Sequence, residues 1–274
     1  MGRIGRGWQL SKVSFGLLRQ DKELLLFPFL SLLISGLAWG FLLASILFLD
    51  IPFFNQFAGQ PILFFGLMLL LYFVTAFLAV YFQAAVVGSV MIRLKGGKPT
   101  VGEAFRQANK HIGKLFLWAL LTATIGLILR AIRKQAGFIG TIIAGTLGVT
   151  WALATYMAVP VIVAEGLGPW AALKRSASLF RQAWGETVVG GLGVGLVLVL
   201  LGLVGLLPLL IGFLLGTSTT LLIGVGVAVG YWFVLFLVWG AAWPALSAVL
   251  YQYAAEGGHV PGLAENILPP VVVA

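Results

Sequence analysis

Ionisable side chains are missing from most of this 274-residue chain. Five blocks, 24–49, 61–92, 115–129, 138–164 and 187–250, contain no Asp, Glu, Lys, Arg or His, and together they hold 164 residues. That is far more charge-free sequence than a soluble core could bury, so the blocks read as membrane-spanning. The same gap removes the buried ionisable groups that mark proton relays and substrate sites in a bilayer. Cysteine is absent, which excludes a thiolate metal site and a Cys nucleophile and leaves the redox compartment undetermined. The two histidines, His111 and His259, are isolated and far apart, with no partner spaced for a metal site or a triad. The short alternating segments of a β-barrel do not occur either.

What is present is 61% apolar residues against 9% charged, with a mean hydropathy of +1.07. The expected fold is all-α, a polytopic membrane bundle of six transmembrane helices at about 24–49, 61–92, 112–130, 138–164, 187–212 and 219–250. The last boundary rests on Leu215-Gly216-Thr217-Ser218-Thr219 as a turn between two apolar helices. The chain reads as one integral membrane domain, 1–274. Within it 1–23 is an interfacial helix, 24–98 a first hairpin, 99–168 an interfacial helix with a second hairpin, 169–260 the third such unit, and 261–274 a short tail. The charged lead before the first block and the lack of an Ala-x-Ala site favour a retained helix over a signal peptide.

The net charge of +9 is distributed around the spans rather than gathered on one soluble face, so nucleic acid is not an expected partner. With the N-terminus cytoplasmic, 14 Lys and Arg fall inside and three outside, a strong positive-inside bias that also places the C-terminus inside. The expected location is a prokaryotic plasma membrane. Arg130, Arg133 and Lys134 are the three outer-face cations, suited to snorkelling toward phosphates. The outer loop 50–60, with Phe53, Phe54 and Phe57, suits interfacial embedding.

Three cytoplasmic-side stretches have amphipathic patterning. Thr100 and Glu103 form a capping box after Pro99; beyond it Val101, Ala104, Phe105, Ala108 and Ile112 share one face, with Arg106, Lys110 and Lys114 on another. After Pro169, Leu173, Ala177, Phe180 and Trp184 oppose Lys174, Ser178 and Arg181. In the lead, Ile4, Trp8, Phe15 and Leu18 oppose Arg6, Lys12 and Arg19. Each stretch precedes an outward-going span, and each following hairpin ends in a glycine-proline stop: Gly96-Gly97-Lys98-Pro99, Gly166-Leu167-Gly168-Pro169 and Gly257-Gly258-His259-Val260-Pro261. This order suggests a threefold parallel hairpin repeat.

Small residues recur at four-residue spacing in Gly36-Gly40-Ala44, Ala84-Gly88, Gly140-Ala144-Gly148, Gly191-Gly195, Gly212-Gly216 and Gly226-Gly230, which suits close helix packing, with oligomerisation as the alternative. Pro28, Pro160, Pro208 and Pro244 read as kinks or helix ends rather than as broken-helix substrate sites, since no charge stands beside them. Glu165 is expected to form a surface ion pair with Lys174 or Arg175. Gly190-Gly191-Leu192-Gly193-Val194-Gly195 fails as a nucleotide fingerprint because it lies within a span and lacks the residues that would complete one.

The segments Arg6-Gly7-Trp8-Gln9-Leu10-Ser11-Lys12 and Asp21-Lys22-Glu23-Leu24-Leu25-Leu26-Phe27-Pro28 resemble the start of an uncharacterised prokaryotic family of six-span membrane proteins. Val159 to Pro169, running into Ala172-Leu173-Lys174-Arg175-Ser176 and Leu179-Phe180, resembles that family too. It is also similar to the membrane domain attached to some glycerophosphodiester phosphodiesterases and to YciC-type inner-membrane proteins. The resemblance implies a six-span fold and no catalytic residues.

No catalytic, cofactor or metal site is expected, and no carboxylate pair, ligand cluster or nucleophile-base set suggests an enzyme. The favoured expectation is a membrane module that meets lipid, anionic lipid in particular, or a membrane partner through a basic cytoplasmic layer of Arg106, Lys110, Lys114, Lys174, Arg175 and Arg181. A transporter or flippase-like conduit for an apolar or lipid substrate is the alternative. A homo-oligomer or membrane-protein partner stays open.

Overall fold

A computed structural model describes residues 3–47, 60–135 and 137–256. Phe53, Phe54 and Phe57, the third glycine-proline stop with His259, and the 261–274 tail lie outside the described residues. The described chain is all-α, with no strand among the described residues. It begins with α1 (Arg3–Gln20), a 3-10 turn (Lys22–Leu25), α2 (Leu26–Leu47) and α3 (Pro61–Leu94). There follow α4 (Val101–Lys110), α5 (Ile112–Gln135), α6 (Gly137–Thr155), α7 (Ala158–Glu165) and α8 (Pro169–Gln182). The chain continues through α9 (Trp184–Val204), α10 (Leu207–Leu214) and α11 (Ser218–Ala255).

Among the described residues six helical stretches are long and apolar enough to cross a membrane: Lys22–Ser45, Pro61–Leu94, Ile112–Gln135, Ile139–Glu165, Trp184–Leu214 and Ser218–Ala255. Each falls on one of the six charge-poor spans of the sequence. Their outward faces carry Ile62, Phe65, Phe213, Leu214 and Leu222, all at least 70% exposed. So much bare apolar surface has no place in water and is at home among acyl chains. The turn between the last two spans is where Gly216 takes φ +71° and Thr217 caps α11 by accepting the Thr220 N–H at 3.1 Å.

Two of the six spans are broken. The fourth opens at Tyr156-Met157, between α6 and α7, and the fifth at Gly205-Leu206, between α9 and α10. Pro160 and Pro208 stand in the first turns of the helices that resume, where a missing N–H costs least. Pro28 likewise lies in the first turn of α2, and Pro244 alone of the four is inside a helix.

The chain forms two compact units. The first comprises Met1–Leu26, Ser89–Pro99 and Leu179–Ala274. In it α1 packs on α9 and α11, α9 on α11, and α10 on α11. Gly7 permits the close crossing of α1 on α9, because a Cβ there would stand 2.7 Å from Val189 Cβ. Ser11 Oγ donates toward Gly190 O at 2.8 Å across the same contact, so the crossing is held by backbone approach and a hydrogen bond as well as by apolar area. At the Gly205 break, Leu201 O accepts from the Tyr231 hydroxyl at 2.8 Å and Gly202 O from the Trp232 indole at 3.1 Å.

The second unit comprises Phe27–Gly88 and Thr100–Ser178. Here α5, α6 and α7 pack on one another, around a core with Leu115, Met157, Val161 and Ile162 fully buried. At the Tyr156 break, the Met157 N–H donates to Ser176 Oγ at 3.0 Å.

The glycine stripes divide into two kinds. A methyl at Gly88 would stand 2.9 Å from Gln107 Cβ, and one at Gly212 would stand 2.7 Å from Thr220 O, so these positions serve packing. A methyl at Gly36, Gly40, Gly195, Gly226 or Gly230 would meet no described neighbour within 4 Å.

Candidate functional site

In the second unit Lys114, Arg175 and His111 stand around the C-terminal end of α7. Helix α4 starts as expected: the Thr100 hydroxyl accepts the Glu103 N–H at 3.2 Å, and Glu103 accepts the Thr100 N–H at 3.1 Å. Ala104 and Ala108 are buried beneath it, while Arg106 and Lys110 are exposed on its outer side. Arg106 reaches Glu103 only at 3.9 Å, an exposed pair of little energetic weight.

Lys114 and Arg175 each donate to an acceptor of the same unit. α7 ends at Gly166, which takes the left-handed conformation at φ +62° that glycine tolerates without strain. Lys114 Nζ donates to the Gly166 carbonyl, placing a cation at the negative end of the helix dipole. Arg175 Nε donates to Glu165 Oε1 at 3.1 Å, the ion pair expected from their spacing. His111 stands beside the same turn, and burial, then Lys114 and Lys110, lower its pKa from the ordinary 6.5. Lys174 remains exposed, its Nζ 5.7 Å from the ring centroid of Trp170, itself 64% exposed.

Arg130, Arg133 and Lys134 all lie exposed at the C-terminal end of α5. Arg130 sits 5.7 Å from the Tyr72 ring centroid, a cation–π contact that fixes its direction.

The first unit holds Arg181, exposed near the end of α8, and two ion pairs that patterning did not find. Arg6 donates to Glu186 Oε1 through Nη2 at 2.7 Å and Nε at 3.1 Å, with only 15% and 5% of the two side chains exposed. That hydrogen bonding raises the Arg6 pKa above its ordinary value. Arg93 donates to Asp21 Oδ1 at 2.9 Å. Around this second pair Gln20, Asp21, Lys22, Glu23, Arg93, Lys98 and Pro99 line a recess of about 420 Å³.

Two amphipathic faces differ from expectation. On α1 the buried residues are Gly7, Leu10, Ser11, Ser14, Leu17 and Leu18; of the expected apolar stripe, only Leu18 is shown buried, and Trp8 is 39% exposed. On α8 the buried residues are Ala172, Ser176 and Leu179, one step from the expected Leu173, Ala177 and Phe180. In both cases small and hydroxyl-bearing residues lie on the buried side, while Trp8 and Trp170 are left exposed. The available signal was Ser and Gly at helical spacing, which a hydrophobicity pattern discounts.

No group of three or more potential metal ligands occurs among the described residues. The model of a family of unknown function, DUF6159, matches residues 62–261. No curated protein matches the chain, and no solved structure does.

Proposed function

We propose that this chain, which belongs to the DUF6159 family of unknown function, is a non-enzymatic membrane protein that engages anionic lipid headgroups through exposed cations near its span ends. The observation that carries this reading is the division of the basic residues. Lys114 is taken up by the Gly166 carbonyl and Arg175 by Glu165, in a pair whose side chains are 41% and 26% exposed, whereas Arg106, Lys110, Lys174 and Arg181 stand outward on helices bordering apolar spans. A cation near an anionic leaflet is worth about 1 kcal/mol, so four together form a substantial attraction. Helices α1, α4 and α8 would then lie at the cytoplasmic interface of a prokaryotic plasma membrane, with both termini inside. That orientation predicts that an impermeant thiol reagent outside intact cells labels Asn55→Cys and misses Ser178→Cys; the reverse labelling overturns it.

The threefold hairpin reading draws support from a short recurring pattern, Leu17-Leu18-Arg19-Gln20, Ala104-Phe105-Arg106-Gln107 and Leu179-Phe180-Arg181-Gln182. In each the first residue is buried and the arginine exposed. The similarity to phosphodiesterase-attached and YciC-type membrane domains remains part of this proposal and brings no activity with it. A conduit would use the groups freed at a broken helix. At the Tyr156 break Ser176 takes up the Met157 N–H, and at the Gly205 break Tyr231 and Trp232 donate to carbonyls that also accept the Gly205 N–H, which favours a packed scaffold.

The test replaces Arg106, Lys110, Lys174 and Arg181 with Gln and counts anionic lipid per purified protein by lipid mass spectrometry. Reduced retention in a variant that still inserts and melts like wild type supports the reading. Unchanged retention would assign these cations to topology alone.

A further inference from the structure

Helices α1 and α8 carry the same set of side chains at the same spacing. From Trp8 the chain reads Trp-Gln-Leu-Ser-Lys-Val-Ser-Phe-Gly-Leu-Leu-Arg-Gln, and from Trp170 it reads Trp-Ala-Ala-Leu-Lys-Arg-Ser-Ala-Ser-Leu-Phe-Arg-Gln. Six of the 13 aligned positions are identical: Trp, Lys, Ser, Leu, Arg and Gln. The order of buried and exposed positions matches too, although Trp8, 39% exposed, also lies against Gly193 of α9, whereas Trp170 is 64% exposed. Ser14 and Ser176 are both 0% exposed, and Leu17 and Leu179 are both buried. Trp8 and Trp170, Lys12 and Lys174, and Arg19 and Arg181 are all exposed. Each lysine lies over its tryptophan, with Nζ 6.0 Å from the Trp8 ring centroid in one case and 5.7 Å from that of Trp170 in the other.

An exposed tryptophan is costly in water and favourable at the headgroup boundary, where the ring meets apolar chains and the indole N–H meets polar groups. A lysine held over that ring presents its ammonium beside the same boundary. Neither helix contains Asp or Glu, so the outward faces are purely cationic. Each also leads directly into an apolar span, Lys22–Ser45 after α1 and Trp184–Leu214 after α8. A cationic, tryptophan-bearing face at a span end complements an anionic leaflet, with phosphate as the shared acceptor.

We propose that Trp8–Lys12 and Trp170–Lys174 are two copies of one lipid anchor, each binding the phosphate of an anionic phospholipid at the headgroup boundary. In α1, Arg19 follows Lys12 by seven residues, about 10 Å along the helix, and extends that anchor toward the span. This rests on the anionic-lipid reading above and goes beyond it in naming the tryptophans, and in adding α1 to the surface that binds.

The test places the full chain in nanodiscs containing phosphatidylcholine and a minor share of one lipid with a nitroxide high on its acyl chain. The labelled lipid is either phosphatidylglycerol or phosphatidylcholine. Tryptophan fluorescence of wild type is compared with that of Trp8→Phe and Trp170→Phe, so the difference reports each site. Expected is at least twofold stronger quenching of both sites by the labelled phosphatidylglycerol, falling to equality in Lys12→Gln/Lys174→Gln. Equal quenching by the two lipids in wild type overturns the anchor, as does no quenching, which would place these faces against water or protein. Anionic lipid retained by purified wild type is measured in parallel. Retention together with equal quenching rejects the anchors and leaves the broader reading standing, whereas loss of both rejects both.

Discussion

Removing the Glu186 carboxylate should loosen α1 from the rest of its unit. Arg6 gives Glu186 two charge-assisted hydrogen bonds, and both side chains are largely withdrawn from solvent. Breaking a buried pair from one side typically costs about 3–5 kcal/mol, because the surviving charge loses its counter-ion. Arg6 keeps 15% exposure and lies near the start of α1, so part of that cost is relieved by water. A loss of roughly 2–3 kcal/mol in the docking of α1 follows for Glu186→Ala. The chain has no cysteine, so Ser14→Cys supplies a single reporter at a position that is 0% exposed and bonds only to Leu10 O in its own helix. Where reclosing is fast, the thiol-labelling rate follows the population of the opened state. At tenfold per 1.4 kcal/mol, labelling should rise about 30- to 150-fold in the Glu186→Ala background. The paired change Arg6→Met with Glu186→Leu should restore most of the protection, since apolar groups of similar volume replace such a pair at little cost. A labelling rate within about threefold of wild type for Glu186→Ala alone would refute a docking role for the pair.

Other consequences are open to simpler assays. Ser176→Ala should leave the Met157 N–H buried without its acceptor and cost about 1–3 kcal/mol, seen as a lower melting temperature in detergent. Gly7→Ala should destabilise by about 1–3 kcal/mol through overpacking against Val189. Gly16→Ala, where a methyl meets nothing within 4 Å, should be neutral or stabilising by up to about 1 kcal/mol; the same melting assay separates the two. Because the folded pKa of His111 is lowered from 6.5, the folded state binds fewer protons than the unfolded one. Its contribution to stability is therefore complete above that value and lost as pH falls through the depressed folded pKa. His111→Gln should flatten this acid-side fall in melting temperature, and an unchanged pH profile would remove His111 as its cause.

Much of the architecture is legible in the sequence because the bilayer imposes it. Six charge-poor stretches of sufficient length must be helical to satisfy their backbones, and the six long apolar helices of the described residues fall on them. Thr100 with Glu103, Gly166 and Gly216 were likewise readable, as local caps and turns with a direct chemical signature. The site was harder to read. Arg6 and Glu186 are separated by 180 residues, and a lone acid at the edge of an apolar block gives no hint of a distant partner. The buried faces of α1 and α8 were misassigned because Ser11 and Ser176 pack by hydrogen bonding to backbone, which hydrophobic periodicity counts as exposure. The breaks at Tyr156 and Gly205 were hidden for a related reason: the side chains that bond to backbone there, Ser176, Tyr231 and Trp232, lie elsewhere in the chain.

Headgroup engagement is tested most directly by native mass spectrometry of the wild-type protein extracted from membranes of known lipid composition. Expected is a ladder of bound phospholipids in which anionic species are enriched severalfold over their share of the membrane, and in which Arg106→Gln/Lys110→Gln/Lys174→Gln/Arg181→Gln shortens the anionic ladder specifically. Bound lipid that simply mirrors the membrane, with the same ladder in the variant, would contradict a lipid-selective role for these cations.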